Sequence, residues 1–424
     1  MERQRHRLRA RRRPLQPAGK SCGTDRIGGR EPMRGNRVNI DFHTVFSYAF
    51  RPFFLLIGIY AVLMVSAWGL YLGGMLPMPG GLPATLRHGH EMLFGFAAGA
   101  IAGFLLTAVA TWTGRAPVNG VWLAALCGVW LTARLAAFWP GELGLLLWCG
   151  TSLAFWAGLL GLMAKQVIAA GNARNYKVLP LLAAFLLSDG YFFAAAAGYA
   201  AGMQTALRIG LFLVLGMIFL VGGRIIPSFT QNWLRANRPD VTVVLPAFDR
   251  LDLAAVCVSA LFGVGFVCWS GHWLSSATGG LAALLQGLRL LRWRGWLARR
   301  EPLLWVLHLG YAWIPLGFAL LALGLGRQHA GWLDAGLHAL TYGAIGTLIL
   351  GVAARVALGH TGRPIQALPG MAPAFELMTL GAVVRVLAAV WPGSLPYLLS
   401  AGLWVIAYGW FLRLYMPILL APRQ

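Results

Sequence analysis

The chain has 424 residues, of which 58% are hydrophobic and only 11% are charged. Its mean hydropathy of +0.67 excludes a water-soluble protein, because too few polar side chains remain to cover a surface. The formal net charge is +22, but twelve of the 35 Lys and Arg residues lie between Arg3 and Arg37, and most others fall in loops. This distribution indicates contact with membrane lipid rather than with a nucleic-acid partner.

The N-terminal segment is basic, poor in apolar residues and interrupted by Gly and Pro, a composition typical of disorder. We therefore predict a disordered cytoplasmic tail over residues 1–45 and a single transmembrane domain over residues 46–424. Met33 is a candidate for the true start of the protein.

Apolar runs recur along the rest of the chain, and a helix needs about 20 such residues to cross a bilayer. They predict an all-α, polytopic transmembrane bundle of about twelve helices. The runs lie near residues 52–73, 91–111, 120–139, 143–164, 178–200, 209–227, 251–270, 273–291, 303–325, 332–358, 375–391 and 395–418.

Basic residues are concentrated in alternate loops. Since Lys and Arg are retained on the cytoplasmic side of a membrane, both termini are predicted to be cytoplasmic. The loops on the opposite side contain only Arg87, Arg208 and Arg327. The loops on the predicted cytoplasmic side contain Arg115, Lys165, Arg174, Lys177, Arg235, Arg238, Arg250, Arg292, Arg294, Arg299, Arg300 and Arg363.

An internal repeat relates the second and tenth predicted helices. His90–Arg115 aligns without a gap with His338–Arg363: both segments begin with His, carry Gly at the sixth and fourteenth positions and end in Thr-Gly-Arg. The sixth helix ends in Gly222-Gly-Arg224, and this spacing of four helices divides the bundle into three pseudo-repeated sets of four. Imidazoles at matching depths on the second and tenth helices could bind the two axial faces of a haem iron.

Two further features bear on haem. The stripe of small residues at Gly95, Gly99 and Gly103 is typical of close helix packing, and a smooth wall for a flat macrocycle is the alternative. The five cysteines show no CxxCH spacing, so covalent attachment of a haem is not expected. The haem is therefore expected to be b-type.

Several long stretches resemble the NnrS family in their order and separation. The resemblance covers most of residues 48–363 and weakens in the seventh, eighth, eleventh and twelfth helices. Ala110-Thr111 stand where the family is expected to have Pro-Asn, a departure that affects no candidate ligand. The stretches are FRPFFLL from Phe50, HGHEMLFGFAAGAIAGFLLTAV followed by TWTGR, GGRIIPSFTQNWL, PLLWVLHLGYAW and HALTYGAIGTLILGVAARVALGHTGR.

The resemblance implies a multi-pass protein of the bacterial inner membrane that contains haem and copper. It also implies an association with denitrification and with protection against nitric oxide and nitrosative stress. Nitric oxide and a membrane electron donor are therefore candidate partners. The resemblance implies no particular reaction, so whether the protein is an enzyme stays open.

The family's histidines match His88, His90, His308, His338 and His360 of this chain. Together with the repeat, this match predicts that His90 and His338 are the axial haem ligands. His88, His308 and His360 are then candidate metal ligands, with His88 and His308 as the candidates for copper. Arg115 and Arg363, in the Thr-Gly-Arg turns, are candidate contacts of lipid phosphates or haem propionates.

The alternative function is a permease for a small solute or metal ion, in which Asp189, Arg134 and Arg385 would form a polar path. The threefold plan also resembles the haem-copper oxidase superfamily. The sixth predicted helix, however, lacks His, and no His-His pair follows in the seventh. Oxygen reduction is therefore not expected.

Overall fold

The computed structural model describes residues 41–78, 81–171, 173–198, 202–391 and 393–424. Most of the predicted tail, residues 1–40, lies outside them. The described residues belong to one compact unit, with twelve long helices and a short one at Phe42–Val45. The long helices are α1 Phe50–Leu72, α2 Ala84–Thr113, α3 Gly120–Ala136, α4 Gly141–Ala169, α5 Val178–Ala196, α6 Met203–Asn237, α7 Arg250–Cys268, α8 Trp273–Arg292, α9 Pro302–Arg327, α10 Ala330–His360, α11 Met371–Val390 and α12 Ser394–Leu420.

Ten of these helices are long and apolar enough to cross a membrane. The other two are α3, which is shorter, and α8, which ends in basic residues. Each helix falls on one of the twelve predicted runs, and no strand occurs among the described residues. The prediction of an all-α polytopic membrane bundle is confirmed. The largest difference in bounds is at α6, which continues beyond its apolar run to Asn237.

Helices α2, α6 and α10 lie at the centre of the bundle. Short loops make successive helices antiparallel, so these three run in the same direction. All three line an apolar pocket of about 100 Å³. Around them α4 packs on α5, α8 on α9 and α12 on α1. These contacts join each set of four helices to the next.

Each central helix contains a π-helical segment. The segments are Glu91–Ala97 in α2, Ile218–Gly222 in α6 and Ala339–Gly346 in α10, and the structure describes no others. π-helical turns are rare and occur frequently at functional sites. Their presence in α2, α6 and α10 agrees with the three sets of four that the sequence repeat indicates.

The glycine stripe of α2 is explained by helix packing. A Cβ atom at Gly95 would overlap the Arg134 side chain of α3, and one at Gly99 or Gly103 would overlap side chains of α1. The close approach of these helices requires glycine at all three positions. The stripe therefore does not form a wall for a macrocycle.

Candidate functional site

A cavity of about 580 Å³ lies at the end of the bundle where α2, α6 and α10 begin. Helices α1, α2, α6, α10, α11 and α12 line it. Its volume falls within the range of roughly 300–1,000 Å³ typical of sites for small molecules and cofactors. We call it the histidine cavity. Apolar side chains form most of its wall, and its polar residues include His88, Gln204, Arg208, Asp334, His338 and Arg385.

An acidic partner orients His338 in this cavity. The Nδ1 atom of His338 lies 2.9 Å from the carbonyl oxygen of Asp334 and 3.0 Å from its carboxylate Oδ1. Two acceptors favour a proton on Nδ1, which leaves the Nε2 lone pair free for a metal. Arg385 donates to both carboxylate oxygens of Asp334, at 3.0 and 3.3 Å, and so holds the acid in place.

His88 reaches the same cavity from α2. Its ring stacks on Trp68 of α1, with centroids 4.3 Å apart and an interplanar angle of 11°. Its Nδ1 is buried and has no hydrogen-bond partner among the described residues. The cavity thus contains one histidine from α2 and one from α10, and the residue of α2 is His88 rather than the predicted His90.

His90 belongs to a different environment. It is fully buried, with Nε2 2.7 Å from Asp189 Oδ1 and Nδ1 3.0 Å from Glu91 Oε1. Aromatic rings of α4 and α5 pack around it, and it does not line the cavity. Because both ring nitrogens are engaged, the structure does not bring His90 and His338 together at one iron.

The Glu91 carboxylate is the centre of the network around His90. Arg134 donates to both of its oxygens at 2.9 Å, and Trp148 Nε1 donates at 3.1 Å. The Tyr60 hydroxyl also donates to Glu91. The network connects α1 through α5 inside the membrane, where each polar group needs a partner.

The polar path that a permease would need is not formed by the three residues predicted for it. Asp189 accepts from His90 and, at 2.6 Å, from the Ser152 hydroxyl, and Arg134 lies in the same buried network. Arg385 lies in the histidine cavity. Two separate clusters therefore hold these side chains.

His308 and His360 lie far from the cavity. Nε2 of His308 is 2.9 Å from the Thr230 hydroxyl, near the end of α6, whereas the cavity lies where α6 begins. His360 ends α10 and packs on the rings of Tyr48 and Phe50. Between His338 and His360 the helix rises about 33 Å. Neither residue can share a metal with His88.

The predicted copper site is not assembled. Among the residues that the structure describes, no group of three or more His, Cys, Asp or Glu side chains could hold a metal ion. His88 and His308, the two leading copper candidates, lie at opposite ends of the bundle.

Arg115 and Arg363 also lie away from the cavity. They follow the ends of α2 and α10, about 35 Å along each helix from His90 and His338. Arg115 is exposed and donates from Nε to Gln166 Oε1 at 3.2 Å. Neither arginine can contact the propionates of a haem held in the histidine cavity. The arginines that line the cavity, Arg208 and Arg385, were not predicted as contacts.

The position of Arg385 in the sequence could have identified it as a candidate. It lies near the end of α11, the third helix of its set, as Arg134 does in α3. Each arginine pairs with an acid on the preceding central helix. Two of the three sets therefore each contain a histidine, an acid and an arginine, although the acid follows the histidine in α2 and precedes it in α10.

A search of curated proteins found no match for the chain. The family model of the NnrS protein matches residues 44–423, which is nearly the whole chain. The chain therefore belongs to the NnrS family.

Proposed function

We propose that this member of the NnrS family binds haem in the histidine cavity, with His88 and His338 as the axial ligands. Family membership supports a role in the nitric oxide response. The observation that carries the haem proposal is a single cavity that contains imidazoles from two central helices. We place the protein in the bacterial inner membrane, with both termini in the cytoplasm, where it would act in denitrification and against nitrosative stress.

The residues of the cavity fit a haem. Its wall is largely apolar and includes the aromatic side chains of Phe96 and Trp404, as suits a macrocycle with few polar atoms. The hydrogen bonds of Asp334 leave Nε2 of His338 free. A haem held there by His88 and His338 would supply a one-electron redox centre and, with one of these ligands displaced, a binding site for nitric oxide.

The chain's own residues supply orientation. Asp334 holds the proton at Nδ1 of His338, and Arg385 fixes the Asp334 carboxylate. The stacked Trp68 ring restricts rotation of His88. Metal-ligating histidines are commonly oriented by such partners, and their loss weakens metal binding.

The residues present do not fit a multi-ligand copper site in the described part of the chain, so no role is derived for copper. A permease is also less well supported than a haem protein. Ile345 lines both the histidine cavity and the central pocket, and the side chains that line the central pocket are apolar and offer a charged solute no polar contact.

The test is a reduced-minus-oxidised absorption spectrum of the detergent-purified protein. We expect a low-spin haem signal that is lost in both His88→Ala and His338→Ala, because each removes one axial ligand. His360→Ala, at the far end of α10, is the matched control and should keep the signal. Parent protein without haem, after expression in a haem-replete host, would overturn the proposal. A haem signal that persists in His88→Ala would show that a residue other than His88 is the second ligand.

A further inference from the structure

Arg208 is a cation in the histidine cavity that has no acidic partner among the residues that the structure describes. It lies on the second turn of α6, and its guanidinium packs over the Phe266 ring, 4.9 Å from the centroid. Its one hydrogen bond in the described part of the chain is long, at 3.5 Å from Nη1 to the Phe266 carbonyl oxygen. None of the described ion pairs includes Arg208.

Arg385 differs from Arg208 in this respect. Nη1 and Nη2 of Arg385 each donate a hydrogen bond to one carboxylate oxygen of Asp334. Gln204 precedes Arg208 by one helical turn and also lines the cavity. Residues four apart share a helix face, so α6 presents an amide and a guanidinium side by side.

We propose that Arg208, assisted by Gln204, binds a carboxylate of the ligand in the histidine cavity. The inference rests on the proposed function, in which that ligand is haem, a macrocycle with two carboxylates at one edge. A guanidinium and a carboxylate form charge-assisted hydrogen bonds, which are about twice as strong as neutral ones. A half-buried cation without an anion is costly, and the carboxylate removes that cost.

The test is an absorption titration of the full-length apoprotein in detergent with two ligands, ferric haem and its dimethyl ester. The ester has the same ring and iron but no carboxylate charge. We expect the parent to bind haem about tenfold or more tightly than the ester. Arg208→Gln should weaken haem binding about tenfold and leave ester binding nearly unchanged.

Two variants complete the design. Arg327→Gln removes an exposed arginine that ends α9 outside the cavity lining, and it should bind both ligands as the parent does. Arg208→Lys keeps the charge and should retain most of the preference for free haem. If Arg208→Gln weakens haem and ester equally, Arg208 only supports the fold and the inference is wrong. If the parent binds neither ligand, the proposed function itself fails.

Discussion

At the scale of single residues, the Asp334 carboxylate is the group that prepares His338 for a metal. Asp334→Asn keeps an oxygen that can accept from Nδ1 but removes the negative charge, so the imidazole becomes a weaker ligand. We expect haem affinity to fall about 10- to 100-fold and the midpoint potential to rise, because a less basic ligand stabilises ferric iron less. Haem content and a redox titration measure the two effects.

Asp240→Asn is the control for this substitution, since Asp240 pairs with Arg238 in an exposed loop between α6 and α7. It should change neither haem content nor potential. An Asp334→Asn protein with the affinity and potential of the parent would show that Asp334 does not orient a ligand.

The two histidines at the start of α2 show what residue patterns can and cannot predict. The repeat predicts His90 and His338 as a pair, whereas His88 and His338 are the histidines that line the cavity. The choice depends on which side chain faces Asp189, a residue 99 positions away on α5. Spacing along one helix contains no information on that contact.

At the scale of helices, the Glu91 network holds the first five helices together. Glu91→Gln would leave the buried Arg134 guanidinium without an anion and weaken the contacts of Tyr60 and Trp148. Breaking one partner of a buried ion pair costs about 3–5 kcal/mol. We expect a clear fall in the thermal unfolding midpoint of the detergent-solubilised protein.

The exposed pair of Asp240 and Arg238 is again the comparison, because exposed pairs contribute little to stability. Asp240→Asn should unfold at the temperature of the parent. Equal midpoints for Glu91→Gln and the parent would mean that the network does not stabilise the bundle.

Hydropathy predicts where the helices lie, but it does not predict where a helix becomes π-helical. The first run, residues 52–73, corresponds to α1 at Phe50–Leu72, because crossing a membrane requires a fixed apolar length. The π-helical segment Glu91–Ala97 lies at the start of the predicted run at residues 91–111. Within this segment Gly95 packs against Arg134 of α3, and an apolar pattern does not predict that contact.

At the scale of the whole molecule, the predicted orientation depends on the difference in basic residues between the two ends of the bundle. The structure makes this difference larger than the sequence indicates. The sequence predicts three arginines in loops on the side of the histidine cavity. Arg87 is instead buried and donates to the Ala137 carbonyl, and Arg208 lines the cavity. Only Arg327 of the three remains exposed. The basic residues that can hold a loop in the cytoplasm therefore lie almost entirely at the opposite end of the bundle.

This asymmetry predicts that the histidine cavity opens toward the periplasm. In a background with the five native cysteines replaced, Trp139→Cys lies in the exposed loop between α3 and α4, at the cavity end. Asp240→Cys lies in the basic loop at the other end. A membrane-impermeant maleimide applied to cells with a permeabilised outer membrane should label Trp139→Cys at once and Asp240→Cys only after lysis. The reverse pattern would invert the orientation and place the haem site near the cytoplasm, within reach of cytoplasmic rather than periplasmic electron donors.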